Sequence, residues 1–117
     1  MSKPQHAYQL GVVVEQKVKR YLIQQGLHFI TANFRAKCGE IDLIMRDGAC
    51  WVFVEVKYRT TQSHGAATEM FTEQKRRKVV KTMYVFMAKH ALNPHHVAHR
   101  VDLIAIDGTR AKWHKGV

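Results

Sequence analysis

The chain has 117 residues, 46% hydrophobic and 24% charged, a balance that excludes a disordered or membrane-spanning protein and predicts one compact domain over residues 1–117. It carries 19 Lys and Arg against 9 Asp and Glu, and the formal charge of +10 favours a polyanionic partner, nucleic acid first. Two cysteines are too few for a disulfide framework, and neither an apolar leader nor a membrane span is present, so we expect reduced thiols and a cytoplasmic protein.

The first predicted element is an amphipathic helix over residues 7–25, which Gly26 ends. Its apolar residues recur every four positions: Leu10, Val14, Val18 and Leu22. A first strand is predicted over residues 27–34. We expect residues 1–6 and 109–117 to be irregular tails.

A β-hairpin is the strongest local prediction, with strands over residues 40–46 and 49–59 joined by Asp47-Gly48. If those two residues form the turn, Asp42 faces Phe53 and Glu40 faces Glu55.

The same register predicts that the hairpin has one chemical face and one apolar face. Alternate residues on a strand share a side, so the first face carries Glu40, Asp42, Glu55 and Lys57. The other face carries Ile41, Leu43, Val52, Val54 and Val56.

Two carboxylates on one face predict a metal site. Asp42 and Glu55 would be close enough to share a cation, and carboxylate oxygens suit Mg²⁺ or Mn²⁺. Lys57 could orient a water or stabilise a phosphate in its transition state. The alternative is an exposed face that happens to be acidic, but Trp51 and Phe53 share this face and indicate that it is partly covered.

Glu15 borders the apolar stripe of the first helix, three residues before Val18. It could reach the carboxylate cluster, and it could equally be a solvated helix glutamate.

A second helix is predicted after Thr72, a good N-cap residue, and Asn93-Pro94 ends it. A last strand over residues 100–107 follows. The order is then helix, three strands, helix, strand, which predicts an α/β fold in which helices flank a mixed sheet.

Basic residues concentrate on this second helix. Five cations fall within seven positions: Lys75, Arg76, Arg77, Lys78 and Lys81. A solvated helix face is the usual interpretation, but with an acidic site and a charge of +10 we expect phosphate contacts. Arg59 opens a polar loop directly after Lys57, and this loop could close over a substrate backbone.

The hairpin sequence resembles a known family. Its two motifs are Gly39-Glu40-Ile41-Asp42-Leu43-Ile44 and Val52-Phe53-Val54-Glu55-Val56-Lys57-Tyr58-Arg59, and they are similar to those of the bacterial YraN proteins. Asn33, Arg35, Gly65 and Lys75 also match the family pattern. The wider class is the PD-(D/E)-x-K nuclease superfamily, and archaeal Holliday junction resolvases are distant relatives.

The resemblance implies a restriction-endonuclease-like fold and a site in which Asp42 and Glu55 are metal ligands, Lys57 is the catalytic lysine and Glu15 is an accessory acid. The family's first helix usually reads G-x-x-G-E-x-x-A. Here Val14 and Val18 stand at the second glycine and the alanine.

The leading hypothesis is therefore a Mg²⁺- or Mn²⁺-dependent DNA endonuclease, with branched DNA implied by the resemblance alone. A resolvase must cut two strands symmetrically, so a homodimer is the corresponding expectation. The alternatives are a non-catalytic nucleic-acid-binding module with the same fold and a small protein that recruits a partner.

Overall fold

The computed structural model describes the backbone of residues 5–60 and 65–117, and side chains from Leu10 onward within those ranges. Two helices, α1 (Gln5–Gln24) and α2 (Glu73–Lys89), accompany a five-stranded sheet. The strands are β1 (His28–Ala36), β2 (Gly39–Asp47), β3 (Cys50–Arg59), β4 (His99–Asp107) and β5 (Arg110–His114). A short 3₁₀ helix (Ala67–Met70) precedes α2. The predicted α/β fold and the order of its elements are confirmed.

The sheet is mixed and keeps the order of the chain, β1-β2-β3-β4-β5. β3 and β4 are parallel, and the other neighbouring strands among the described residues are antiparallel. A parallel pair needs a long crossover, and here the 3₁₀ helix and α2 supply it. None of the helices that the structure describes is long and apolar enough to span a membrane.

The sheet buries both faces, one under each long helix. Under α1, Val18 and Leu22 pack on Leu43, Val52 and Val54. Under α2 the cluster holds Ile41, Ile44, Phe53, Val79, Met83, Phe86, Met87 and Val101. The two helices therefore cover opposite faces of the central strands.

The predicted apolar stripe of the first helix is confirmed except at the start of α1. Leu22 is fully buried, but Leu10 is 41% exposed because the N-terminal part of α1 borders an open cavity beside β4 and β5. Helix α2 begins as predicted, with the Thr72 hydroxyl accepting a hydrogen bond from the backbone N–H of Lys75.

The hairpin turn lies one residue later than predicted. Asp47 pairs with Cys50, so the two loop residues are Gly48 and Ala49, and Gly48 adopts a φ of 60°. The predicted pairings of Asp42 with Phe53 and of Glu40 with Glu55 are wrong, since Phe53 pairs with Ile44. This shift displaces each partner by two residues, so the faces of Leu43, Val52 and Val54 remain as predicted.

One predicted face is also wrong, because the alternation of β2 breaks at Asp42. Ile41 packs under α2 whereas Leu43 packs under α1, although residues two apart on a regular strand share a face. On the neighbouring strand β1, Phe34 pairs with Ile41 and Ala32 pairs with Leu43. Asn33, between them, has a positive φ of 54°.

The C-terminal region is not the irregular tail that we predicted. β5 pairs with β4, and the backbone N–H of Val117 donates to the carbonyl of Val101. The N-terminal tail is also shorter than predicted, since α1 already begins at Gln5.

Asp102 holds this end of the protein together. Its fully buried carboxylate accepts hydrogen bonds from Arg100 Nε (3.0 and 3.2 Å), Trp113 Nε1 (2.9 Å) and the backbone N–H of Gly116 (2.9 Å). Arg100 also reaches Asp47 Oδ2 at 3.2 Å. Asp102 thus has a structural role, in the interior and not at a sheet edge.

Asp102→Ala should lower the free energy of unfolding by about 3 to 5 kcal/mol, because it leaves the Arg100 guanidinium and the Trp113 indole without their buried acceptor. Urea denaturation measures this loss. The exposed Glu73→Ala variant is the control and should stay within about 1 kcal/mol of wild type. Equal losses in the two variants would contradict a structural role for Asp102.

Candidate functional site

The candidate site lies where β2 and β3 separate. Their paired register ends at Leu43 and Val54. Just beyond it, Asp42 Oδ2 accepts a hydrogen bond from the backbone N–H of Val56 at 2.8 Å. The Asp42 carboxylate therefore takes the position of a main-chain acceptor between the strands, in the plane of the sheet and not on the predicted face.

Glu55 and Lys57 flank that bond along β3. The two alternate with Val54 and Val56, so they share the face of Phe53, which α2 covers. Lys57 Nζ lies 3.3 Å from Glu55 Oε2, and Glu55 is only 8% exposed. The predicted covering of this face is confirmed, because Phe53 and Trp51 both pack against Phe86.

Burial of the Glu55 carboxyl, a hydrogen bond with Asp42 and the negative charge of Asp42 together raise its pKa to about 8. Lys57 acts in the opposite direction but does not cancel these effects. At neutral pH the pair of carboxyl groups therefore retains a proton.

Glu15 reaches the same cluster from α1. Partial burial raises its pKa to about 7, and the charges of Asp42 and Glu40 contribute in the same direction. Of the two alternatives that the sequence left open, the structure favours the one in which Glu15 belongs to the cluster.

Asn33 connects Glu15 to Glu40. With the amide oriented so that its nitrogen faces the carboxylates, this nitrogen donates to Glu40 Oε1 at 3.2 Å and to Glu15 Oε1 at 3.3 Å. Glu40 Oε2 also pairs with Arg35 Nε at 3.4 Å. Sequence reasoning gave Asn33 no role, although Asn is one of the few residues that tolerate a positive φ.

Arg59 continues the row of Glu55 and Lys57 toward the end of β3. Its Nη1 donates to the carbonyl of Gly65 at 3.3 Å, and its buried Nε has no hydrogen-bond partner within the described ranges. Of the polar loop that we expected to close over the substrate, residues 61–64 lie outside the described residues.

The cations of α2 are exposed to different degrees. Arg76 and Arg77 both pair with Glu73 Oε1 at 3.4 Å, which neutralises part of their charge. The remaining cations are exposed and make no ion pair within 4 Å to the residues that the structure describes: Lys75, Lys78 and Lys81.

The donor set fits one kind of metal ion better than another. Among residues 10–60 and 65–117, no group of three or more His, Cys, Asp or Glu side chains is arranged as a metal-binding cluster. A structural zinc site would require such a cluster. Mg²⁺ commonly keeps several waters and uses one or two carboxylates, which Asp42 and Glu55 provide.

Comparison with known sequences agrees with the motifs. The sequence model of the family described as "Uncharacterised protein family UPF0102", which includes YraN, matches residues 14–106. A UPF0102 protein of Aliivibrio fischeri strain MJ11 is 44% identical over 117 residues, covering 98% of this chain and 95% of the relative. Another from Herminiimonas arsenicoxydans is 40% identical over 116 residues, covering 98% and 91%.

The metal-free protein should lose stability as the pH rises from about 4.5 to about 8. The pKa of Glu55 is 4.5 in its reference state and about 8 in the fold, so across this interval the folded state binds the proton that the unfolded state has released. Urea denaturation at several pH values, with a chelator present, measures the slope. Glu55→Gln should flatten it, and an unchanged slope in this variant would show that Glu55 does not titrate as described.

Proposed function

We propose that the chain, which belongs to the uncharacterised protein family UPF0102, is a metal-dependent phosphodiesterase that cuts DNA. The observation that carries this proposal is the junction of β2 and β3, where Asp42, Glu55 and Lys57 meet within a few ångströms. Acidic groups this close disfavour one another unless a proton or a cation lies between them.

Asp42 and Glu55 are the residues that would hold Mg²⁺ or Mn²⁺. Such an ion, when bound, polarises a phosphate, lowers the pKa of a water and stabilises charge on the leaving oxygen. The bond from the Val56 N–H fixes the direction of the Asp42 carboxylate, so one ligand is already oriented before any ion arrives.

Lys57 and Glu15 have different tasks. Lys57 lies beside Glu55 and can place its positive charge against a phosphate whose negative charge grows in the transition state. Glu15, held by the Asn33 amide, can accept a proton from a water at the edge of the cluster, because a pKa of about 7 suits a base at neutral pH.

DNA is the proposed substrate because the formal charge is +10 and α2 presents exposed cations close to the same face of the sheet. A branched substrate such as a four-way junction, cut by a two-fold dimer, rests on the resemblance to resolvases. Cleavage assays with linear, flap and four-way junction DNA, each with Mg²⁺ or Mn²⁺, test the substrate class.

A second candidate is a non-catalytic nucleic-acid-binding module. It is favoured by the fact that the cluster is already satisfied without a metal: Glu55 shares a hydrogen bond with Asp42 and pairs with Lys57. Calorimetry with Mn²⁺ distinguishes the two candidates, since a binding module would take up no ion while its DNA affinity stayed independent of Asp42.

Asp42→Asn and Glu55→Gln should abolish cleavage while DNA binding persists or strengthens. Both changes keep the shape of the side chain, remove the charge that holds the cation and also remove repulsion from phosphate. Lys57→Ala keeps both ligands, so Mn²⁺ binding should survive while the cleavage rate falls by about 10²- to 10³-fold. Single-turnover cleavage and calorimetry measure the two effects separately.

A wild-type cleavage rate in Lys57→Ala would contradict this division of roles. Cleavage by Asp42→Asn or Glu55→Gln in the presence of a chelator would show that the activity comes from a contaminant. The Lys37→Ala variant, which removes an exposed lysine outside the cluster, controls for the loss of one positive charge.

DNA affinity should fall steeply with salt, because the cations of α2 contact phosphates and not base edges. Replacing Arg76, Arg77 and Lys78 with alanine should weaken binding equally for unrelated sequences and flatten the salt dependence. Fluorescence anisotropy at several salt concentrations measures both, and an unchanged salt slope would place the DNA surface elsewhere.

A further inference from the structure

The edge strand β5 carries basic residues in line with the candidate site. In the parallel pair of β3 and β4, Lys57 is the partner of Ala105. In the antiparallel pair of β4 and β5, Ala105 is in turn the partner of Lys112. Residues paired across a sheet point to the same face, so Lys57 and Lys112 lie in one row with an alanine between them.

The next row toward the end of the strands repeats the arrangement. Arg59 pairs with Asp107, which pairs with Arg110. Two adjacent rows therefore each begin with a cation on β3 and end with one on β5. This alignment could not be seen in the sequence, because we predicted residues 109–117 to be an irregular tail.

An open cleft of about 610 Å³ lies against the β5 end of these rows. Its lining comes from β4, β5 and the 3₁₀ helix, and the polar side chains in it are Thr68, Asp107, Arg110, Lys112 and His114. The charged side chains of the lining are thus two cations and one carboxylate. A second cavity, of about 540 Å³, lies beside α1, where Val13, Val14 and Ile104 line it, and Lys112 on the edge strand borders both cavities.

Among the described residues, no acidic side chain forms an ion pair with the two cations of the cleft. Arg110 and Lys112 are exposed, and neither makes an ion pair within 4 Å to any residue that the structure describes. Asp107, the one carboxylate in the lining, accepts a hydrogen bond from the backbone N–H of Ala67 at 2.7 Å. The described lining thus holds two cations and one carboxylate, and that carboxylate already accepts a hydrogen bond.

The 3₁₀ helix separates this cleft from the candidate site. Ala67 is fully buried and packs with Leu103 and Ala105 of β4, between Lys57 and β5. Because neighbouring strands lie about 4.8 Å apart, the backbones of Lys57 and Lys112 are about 10 Å apart. That distance corresponds to about three base-pair steps along the axis of a duplex, which rises about 3.4 Å per step.

We infer that the β5 cleft binds the phosphodiester backbone of the substrate a few nucleotides from the phosphate that is cut. This inference rests on the proposed function and extends it. Arg110 and Lys112 hold one part of the strand while Lys57 meets another, so the substrate must be long enough to reach both. Affinity contributed by β5 is independent of base sequence, since lysine and arginine contact phosphates there and no groove is read.

Removal of two cations from β5 tests the inference. The double variant Arg110→Ala/Lys112→Ala should bind a single-stranded 12-mer more weakly, and the slope of log affinity against log salt should become shallower by about 0.7 units for each cation removed. Binding is measured by fluorescence anisotropy with Ca²⁺ in place of Mg²⁺ to prevent cleavage. Thermal unfolding confirms that each variant is folded.

The matched control is Lys17→Ala/Lys115→Ala, which removes the same charge from the opposite side of the sheet. Lys17 lines the cavity beside α1, and Lys115 Nζ lies over the Trp113 ring at 4.3 Å. This variant should keep the wild-type salt slope. Equal slopes in the two double variants would show a general charge effect and overturn the inference.

A second measurement uses the backbone amide signals of β5. Titration of the wild-type protein with the 12-mer should shift the NMR signals of Arg110 and Lys112, whereas a dinucleotide, too short to span the 3₁₀ helix while held at Lys57, should leave them unchanged. If the protein cuts DNA and β5 neither shifts nor affects the salt slope, the inference fails and the proposed function stands. If β5 binds the 12-mer but no DNA is ever cut, catalysis fails and the phosphate-binding cleft stands.

Discussion

The site depends on one hydrogen bond, from the backbone N–H of Val56 to the carboxylate of Asp42. The paired register of β2 and β3 stops at Leu43 and Val54, and the Asp42 side chain takes over the role of a main-chain carbonyl just beyond that point. The bond fixes an acidic group within the sheet plane between two strands. Glu55, one residue before Val56, is thereby held against Asp42 in a space with little water, and the proximity of the two carboxyl groups follows from the sheet itself.

The protein contains two kinds of buried carboxylate, which differ in how well their oxygens are satisfied. Asp102 receives hydrogen bonds from a guanidinium, an indole and a backbone amide, so its charge is compensated by fixed donors. Within the described part of the chain, the Glu55 carboxyl has only the Lys57 amine as a charged donor, and its other close neighbour is a second acid, Asp42. A satisfied carboxylate stabilises the fold, whereas an under-compensated one has capacity left for a proton or a metal ion. This difference separates the structural acid from the candidate functional one.

Sequence patterns predicted which hairpin residues lie close together better than they predicted the strand pairing that brings them there. The predicted turn was one residue too early, which moves the partner of each residue by two positions. Because side chains alternate with a period of two, Leu43 and Val54 still lie on the predicted face. Ile41 lies on the other face of the sheet from Leu43, and Asn33, between their β1 partners, has a positive φ. A single positive φ leaves no signature in hydrophobic periodicity, so the sequence did not predict this change of face. β5 was missed for a related reason: it is a five-residue edge strand whose first three residues are exposed, so little of it carries an apolar pattern.

Acidic and basic side chains lie in different parts of the protein. Four of the nine acidic side chains gather at the site, namely Glu15, Glu40, Asp42 and Glu55, while the lysines of α2 and the cations of β5 lie outside it. The outer charges attract a polyanion over a distance set by the ionic strength, but the acidic centre repels any phosphate that comes close. A phosphate can therefore approach Asp42 and Glu55 only when protons or a divalent cation neutralise them. Under the function that we propose, a divalent cation would meet this requirement at neutral pH and would also supply the electrophile that phosphodiester cleavage needs.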